Sequence, residues 1–277
     1  MLMQNFKKSC LVILGVIVLF LTCSKDSTQF NQVPPELPPE STFIIDFSNF
    51  STDDNLLLSK MNDVQLLSRE NWGWAAAHVL VWSTILYVNL AIPVAAFKAA
   101  FLHEPVQQPN GTWVWTYHFM FGQDTLTAEL HGIRTSQGTE WKMYISKSGG
   151  FNKFLWYTGM SDLNYFQGNW VIYKHPSDPV EFLGIVWHRN VQDSTADIKY
   201  THLGAGLQPP GSYIEYGITN QTPYDAFYNI FSQSANNHVD IEWNRETHEG
   251  RVRDPLHFGN SSWHCWNEML EDIECPN

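Results

Sequence analysis

The chain has 277 residues, of which 44% are hydrophobic, 14% aromatic and 16% charged, enough apolar material for a sizeable core and too much for disorder over most of its length. Sixteen Lys and Arg against 28 Asp and Glu give a net charge of -12, which argues against a nucleic-acid binder that tracks phosphates and against electrostatic attachment to anionic lipid. Twelve Trp, 11 Tyr and 17 Phe suit strands with one packed face better than a helical bundle, and point to one β-rich domain.

At the N-terminus, Lys7 and Lys8 precede the uncharged run 10–21 (CLVILGVIVLFL), followed by Thr22-Cys23 and the polar Ser24-Lys25-Asp26-Ser27. The run is too short for a bilayer core of about 30 Å and reads as a secretory signal covering residues 1–22. Phe20-Leu21-Thr22-Cys23 resembles the lipobox of bacterial lipoproteins, although Phe20 and Thr22 depart from its commonest residues. The resemblance implies lipidation of Cys23; a plain secreted protein is the alternative. Lys25-Asp26 is similar to the export signals of Bacteroidota surface lipoproteins, which implies an outer-membrane anchor with a periplasmic or surface-exposed domain. Three Asp-Ser/Thr triplets, at 26–28, 124–126 and 193–195, resemble the O-glycosylation signature of the same phylum. Loss of residues 1–22 removes two Lys and no acid, leaving 14 basic and 28 acidic residues.

With Cys10 in the signal and Cys23 acylated, Cys265 and Cys275 are the remaining pair, and an oxidising compartment is expected to join them. Two free thiols, or a zinc site using His264, are the alternatives; no second short-spaced ligand pair supports the metal.

Residues 23–41 hold two Pro-Pro pairs and read as a polyproline-like linker ahead of a domain at 42–277. Residues 42–47 are expected to form a strand. Residues 72–97 contain no Asp, Glu, Lys or Arg. They read as a helix over 72–102, broken or kinked at Pro93, buried centrally in the domain or else crossing a membrane. From 112 the period becomes two. Trp113, Trp115, Tyr117, Phe119 and Phe121 share one strand face, and a turn around Gln123-Asp124 sets Phe121 opposite Leu126 and Tyr117 opposite Leu130. Further strands are expected at 141–146, 155–159, 170–174, 182–189, 196–202, 213–219 and 239–244, with a short helix over 223–231 started by Thr222-Pro223. The fold class is α+β: an antiparallel meander sheet or open β-barrel curved around a long apolar helix. That architecture resembles periplasmic lipoprotein carriers, without a shared motif.

The inferred register sets His118 opposite Glu129 and Thr116 opposite His131. Another even loop sets His188 opposite Asp197 with Lys199 beside them. A His next to a carboxylate can act as general base or metal ligand, whereas the same pairs also decorate any solvated sheet face. Glu215 and Glu242 lie in aromatic strands, as a retaining glycosidase would need, and Arg245, Arg251 and Arg253 are candidates for contact with an acidic sugar. No nucleophile elbow, phosphate loop, metal-ligand spacing or cofactor motif is present. The expectation is therefore a lipid-anchored binding or structural module of the cell envelope, without metal or cofactor and with a small apolar or glycan ligand. The alternative is an envelope hydrolase of glycans or esters using a His/carboxylate pair on the sheet.

Overall fold

The computed structural model describes residues 33–50, 68–204 and 208–276. The signal segment, Cys23 and the first glycosylation triplet lie outside the described residues. Among the described residues, one long helix, α1 (Glu70–Ala100), is followed by strands β1 (Val106–Gln107), β2 (Trp113–Phe121), β3 (Asp124–Arg134), β4 (Thr139–Lys147), β5 (Phe154–Ser161), β6 (Gln167–His175), β7 (Asp178–Asn190), β8 (Thr195–His202), β9 (Tyr213–Ile218), β10 (Ala226–Ser232), β11 (Asn237–Trp243) and β12 (Gly250–Arg253). A single-turn helix α2 (Pro255–Phe258), β13 (His264–Trp266) and β14 (Asp272–Ile273) complete the chain.

Every strand pairs antiparallel with the next, and the 14 strands form one sheet in sequence order. β1 pairs only with β2 and β14 only with β13, so the meander is open. Alternation sorts the faces: Trp115, Tyr117, Leu130, Trp141, Met143, Tyr157 and Trp170 point inward and are buried, while Thr116, Glu129, Lys142 and Asp197 lie on the other face. Tryptophans are accommodated beside glycines. Trp141 faces Gly132 on one side and Gly159 on the other, and Gly159 also faces Trp170. A Cβ on Gly159 would overlap the Trp170 ring and the Asn169 carbonyl oxygen, so the ring occupies the space a side chain would need.

Helix α1 touches β2 and β3 towards one end of the sheet and β12, β13 and β14 towards the other, so both ends of the meander meet the same helix. Its N-terminal cap comes from a distant strand: Asp272 accepts from the backbone N–H of Glu70 and Asn71, both at 3.0 Å, while Asn71 Nδ2 donates to the Cys265 carbonyl at 3.0 Å. Arg69, at the cap position, makes no side-chain cap bond. Near the other end, the Tyr117 hydroxyl donates to the Ala96 carbonyl at 2.6 Å. By length and composition α1 could cross a bilayer, but these bonds and its buried stripe tie it to the sheet. It runs unbroken through Pro93. Proline leaves the Asn89 carbonyl without its usual donor but does not end the helix.

Several expectations are corrected. The helix is buried on one face only, through Trp72, Ala75, Ala76, Val79, Trp82 and Leu86 among others, while Leu80, Val81, Tyr87 and Val88 are exposed. Its apolar character all round therefore does not come from central burial. Residues 42–47 are not a strand; two 3-10 turns, Glu40–Thr42 and Ser48–Phe50, flank a stretch without a ladder partner that inserts Phe43 and Ile45 into the core, and the second turn adds Phe50. Residues 223–231 are no helix. Ala226, Tyr228 and Ile230 alternate with Phe227, Asn229 and Phe231, a period-two pattern that pairs on both sides with β9 and β11 and outweighs the Thr-Pro start signal. The proline-rich stretch packs from Val33 onward: Pro35 and Pro38 are buried, and Arg134 donates to the Pro34 carbonyl at 3.2 Å. The compact unit thus begins at Val33 rather than at 42.

The β2–β3 register is displaced by two residues from the expected one. Phe121 faces Asp124 across the two-residue turn Gly122-Gln123, Tyr117 faces Ala128 and Trp115 faces Leu130. Alternation fixes which face a residue takes but is blind to a two-residue slip; Gly122, at φ +61°, permits the tighter turn.

Candidate functional site

The tighter turn rearranges the first candidate pair. His118 faces Thr127, to whose hydroxyl its Nδ1 is bonded at 3.0 Å, and Glu129 faces Thr116, while His131 faces Val114. His118 and Glu129 are therefore not cross-strand partners. Glu129 gathers other groups: Lys153 Nζ lies 2.9 Å from its carboxylate and His131 Nε2 at 3.5 Å.

Lys153 is held there by the β4–β5 connection. Gly150 N–H donates to the Lys147 carbonyl at 3.0 Å and Lys147 N–H to the Phe151 carbonyl at 2.9 Å, closing the loop. Lys153 N–H then donates to Ser146 Oγ at 2.8 Å. Lys153 itself adopts φ +44°, in the left-handed region that a lysine rarely takes, and such backbone strain is concentrated at functional positions. Two clefts meet at this residue. One, of about 590 Å³, is lined by polar groups of Gln108, Asn110, Thr116, Glu129, His131 and Lys153. The other, of about 440 Å³, is lined by Phe151, Phe154, Tyr173, Pro176 and Pro179, with Phe151 and Phe154 also packing against the core. The combination is a cation, a carboxylate, an imidazole and amide groups beside aromatic residues.

The second pair lies where the strand pattern sets it: His188 faces Asp197, and its Nδ1 is 2.8 Å from the carboxylate. Half of the His188 side chain is exposed. It lines a cleft of about 260 Å³ with Gln137, Asp162, Gln167 and Asn169. Asp162 is already engaged, accepting from the Phe166 and Gln167 N–H groups at 2.8 and 3.2 Å. Among the described residues no group of three or more His, Cys, Asp and Glu could hold a metal ion.

The remaining charged candidates are paired with one another. Arg251 binds Glu242 at 2.6 Å, Arg253 binds Asp240 at 2.8 Å, Arg245 binds Asp225 at 2.8 Å and Lys199 meets Glu215 at 3.5 Å. The ring of Trp263 lies under both Arg251 and Arg253, 4.3 and 4.5 Å from their guanidinium carbons. Glu215 and Glu242 thus serve as ion-pair partners, and the three arginines are neutralised rather than presented. Cys265 and Cys275 form a disulfide, with Cα atoms 5.1 Å apart. His264 stacks on Phe258, ring centroids 3.7 Å apart, with no thiolate beside it.

One site has no counterpart among the sequence candidates. Asp254 is only 2% exposed. Its carboxylate accepts from Asn237 Nδ2 at 2.7 Å, Trp74 Nε1 at 2.9 Å, and the N–H groups of Leu256 and His257 at 3.0 and 3.2 Å. Burial alone would raise its pKa; the bonds from Asn237, Trp74, His257 and Leu256 prevail and hold it below the usual carboxylate range. The Asp-Pro start and the Gly259 stop of α2 were the available signal. Lys153 and its aromatic neighbours were likewise missed, because Ser-Gly-Gly-Phe-Asn-Lys reads only as a turn.

The fold defines a class by geometry, an open antiparallel meander closed upon one helix. Searches among known protein families, curated proteins and solved structures find no match for this chain.

Proposed function

We propose that this protein is a lipid-anchored binding module of the cell envelope that takes a carbohydrate at the two clefts that share Lys153. The observation that carries this reading is a cleft of polar hydrogen-bonding groups, Glu129, His131 and Lys153, that shares Lys153 with a second cleft lined by Phe151, Phe154 and Tyr173. Sugars offer both an apolar ring face and hydroxyls, and a site for them needs both surfaces. An apolar ligand held inside the sheet is less well supported, because Phe43, Phe97, Tyr157 and Trp170 stack together across the concave side. The hydrolase reading has a His–Asp pair in its favour at His188, but one whose imidazole is half exposed to solvent.

The test is titration of the purified chain with envelope-type oligosaccharides by calorimetry, with Lys153→Ala and Phe154→Ala variants. Loss of binding by about tenfold in each is expected, from about 1.4 kcal/mol per lost contact. Binding that survives both substitutions, or no binding to any oligosaccharide, refutes the site. The anchor is tested separately: Cys23→Ser should move the chain from the membrane to the soluble fraction.

A further inference from the structure

Helix α1 has a second face that the described residues leave bare. Leu80 is 54% exposed, Val81 49%, Val88 69% and Tyr87 80%. From Asn71 to Phe97 there is no charged side chain to mark a water-facing surface. Four polar side chains from His78 onward bond back to their own helix. Ser83 and Thr84 donate to the Leu80 carbonyl at 3.0 and 2.9 Å, Asn89 donates to the Ile85 carbonyl at 2.7 Å, and His78 Nδ1 lies 3.1 Å from the Trp74 carbonyl. A hydroxyl that donates in this way has less need of water, which lowers the cost of placing it against hydrocarbon. The outer face of the sheet, by contrast, carries the ion pairs described above.

The length of chain ahead of the packed unit says what this face meets. Nine residues lie between Cys23 and Val33, a reach of at most about 35 Å. From there the chain runs to Glu40, which pairs with Lys98 at the end of α1 at 3.6 Å. A domain tied so closely to a membrane by a lipid on Cys23 holds its one bare apolar helix face within reach of that membrane. The net charge of -12, and the lack of Lys or Arg on the face, fit uncharged or zwitterionic lipid rather than anionic headgroups.

We infer that the outer face of α1 lies in the headgroup–acyl boundary of the membrane that anchors the chain, seating the domain sheet-outward. The inference rests on the anchor reading of Cys23, and its test keeps the two apart. A fluorescent probe is placed on Val88→Cys and, as a control, on Met120→Cys, which is exposed on the outer sheet face. Both are made in the acylated chain and in the Cys23→Ser chain, and mixed with phosphatidylcholine vesicles carrying nitroxide lipid. Quenching severalfold stronger at 88 than at 120, and partition of the Cys23→Ser chain weakened about tenfold by Val88→Glu, are expected. Equal quenching at the two positions overturns the inference even where the acylated chain floats with the vesicles, a result that leaves the anchor standing. Equal flotation of the acylated and Cys23→Ser chains, with quenching still confined to 88, sinks the anchor alone. A probe at 88 already shielded without vesicles, whether in a monomer covered by its own residues 51–67 or in a dimer, also overturns it.

Discussion

Replacing Asp254 with Ala should be among the most damaging single changes in the domain, because this one carboxylate joins three elements. It accepts from Trp74 on α1, from Asn237 on β11 and from two N–H groups at the start of α2. Removal strands the Trp74 and Asn237 donors, each bond to an ionised acceptor being worth about 1.5–3 kcal/mol, and strips a helix cap worth about 1 kcal/mol. The terms share partners and do not add fully, so the loss is about 3–5 kcal/mol. For a domain of this size that lowers Tm by roughly 10 °C. Urea and thermal unfolding followed by circular dichroism read it directly. Asp254→Asn keeps one acceptor oxygen and should lose about half as much. In a double-mutant cycle, Trp74→Phe should cost clearly less in the Asp254→Ala background than in the wild type. A loss below about 1 kcal/mol for Asp254→Ala, or full additivity with Trp74→Phe, would refute the idea that this carboxylate ties helix to sheet.

Gly159→Ala puts a methyl into the space held by the Trp170 ring and the Asn169 carbonyl; a loss of about 2–3 kcal/mol is expected in urea denaturation, with no effect at the solvent-open Gly149 apart from its backbone cost. Reduction of Cys265–Cys275 should cost roughly 2–3 kcal/mol by the loop-entropy argument. Because β14 carries the Asp272 cap of α1, reduction should also speed hydrogen exchange at Glu70 and Asn71 before the central strands. Acid weakens the fold in two windows. Burial lowers the His202 and His264 pKa values below the ordinary 6.5, so the unfolded chain takes up protons first and stability falls as pH drops below that value. His202→Phe should flatten that slope. The Asp254 pKa lies below the ordinary 3.8, so its contribution is complete above that value and is lost as pH falls through the folded value. Stability that is flat from neutral pH down to about 4 would contradict the histidine assignment.

Strand content was legible because the residue alternation is strict from Trp113 onward and the turns carry Gly or Pro. What alternation leaves open is the pairing itself. His188 opposite Asp197 followed from the strand pattern and is found, whereas the β2–β3 pair slipped by two because Gly122 closes a shorter turn than the apolar alignment required. The consequence is chemical: Glu129 loses His118 and gains Lys153, which comes from a connecting loop and so has no periodic signal at all. Local start signals misled at Thr222-Pro223, where Asp225 pairs with Arg245 instead of leading a helix. They were informative at Asp254-Pro255, where the same chemistry does cap a turn.

The filling of the interior and the bareness of the helix have a common origin in sheet geometry. A single sheet of many strands curls right through its own twist, and the space it encloses is too wide for one layer of aliphatic side chains. Here Trp141, Trp170, Trp187 and Trp243 fill it from the strands, each fully or almost fully buried, and Phe43 and Phe50 enter from the N-terminal stretch. With that volume taken, α1 has no room at the centre and instead lies where the two ends of the meander come together. A helix in that position must bury one stripe and show the other. Its outer stripe would ordinarily be Lys- and Glu-rich, and the substitution of Leu, Val and Tyr there is costly in water unless something apolar covers it. The same packing that fills the interior with aromatic rings therefore leaves an apolar stripe of α1 on the outside.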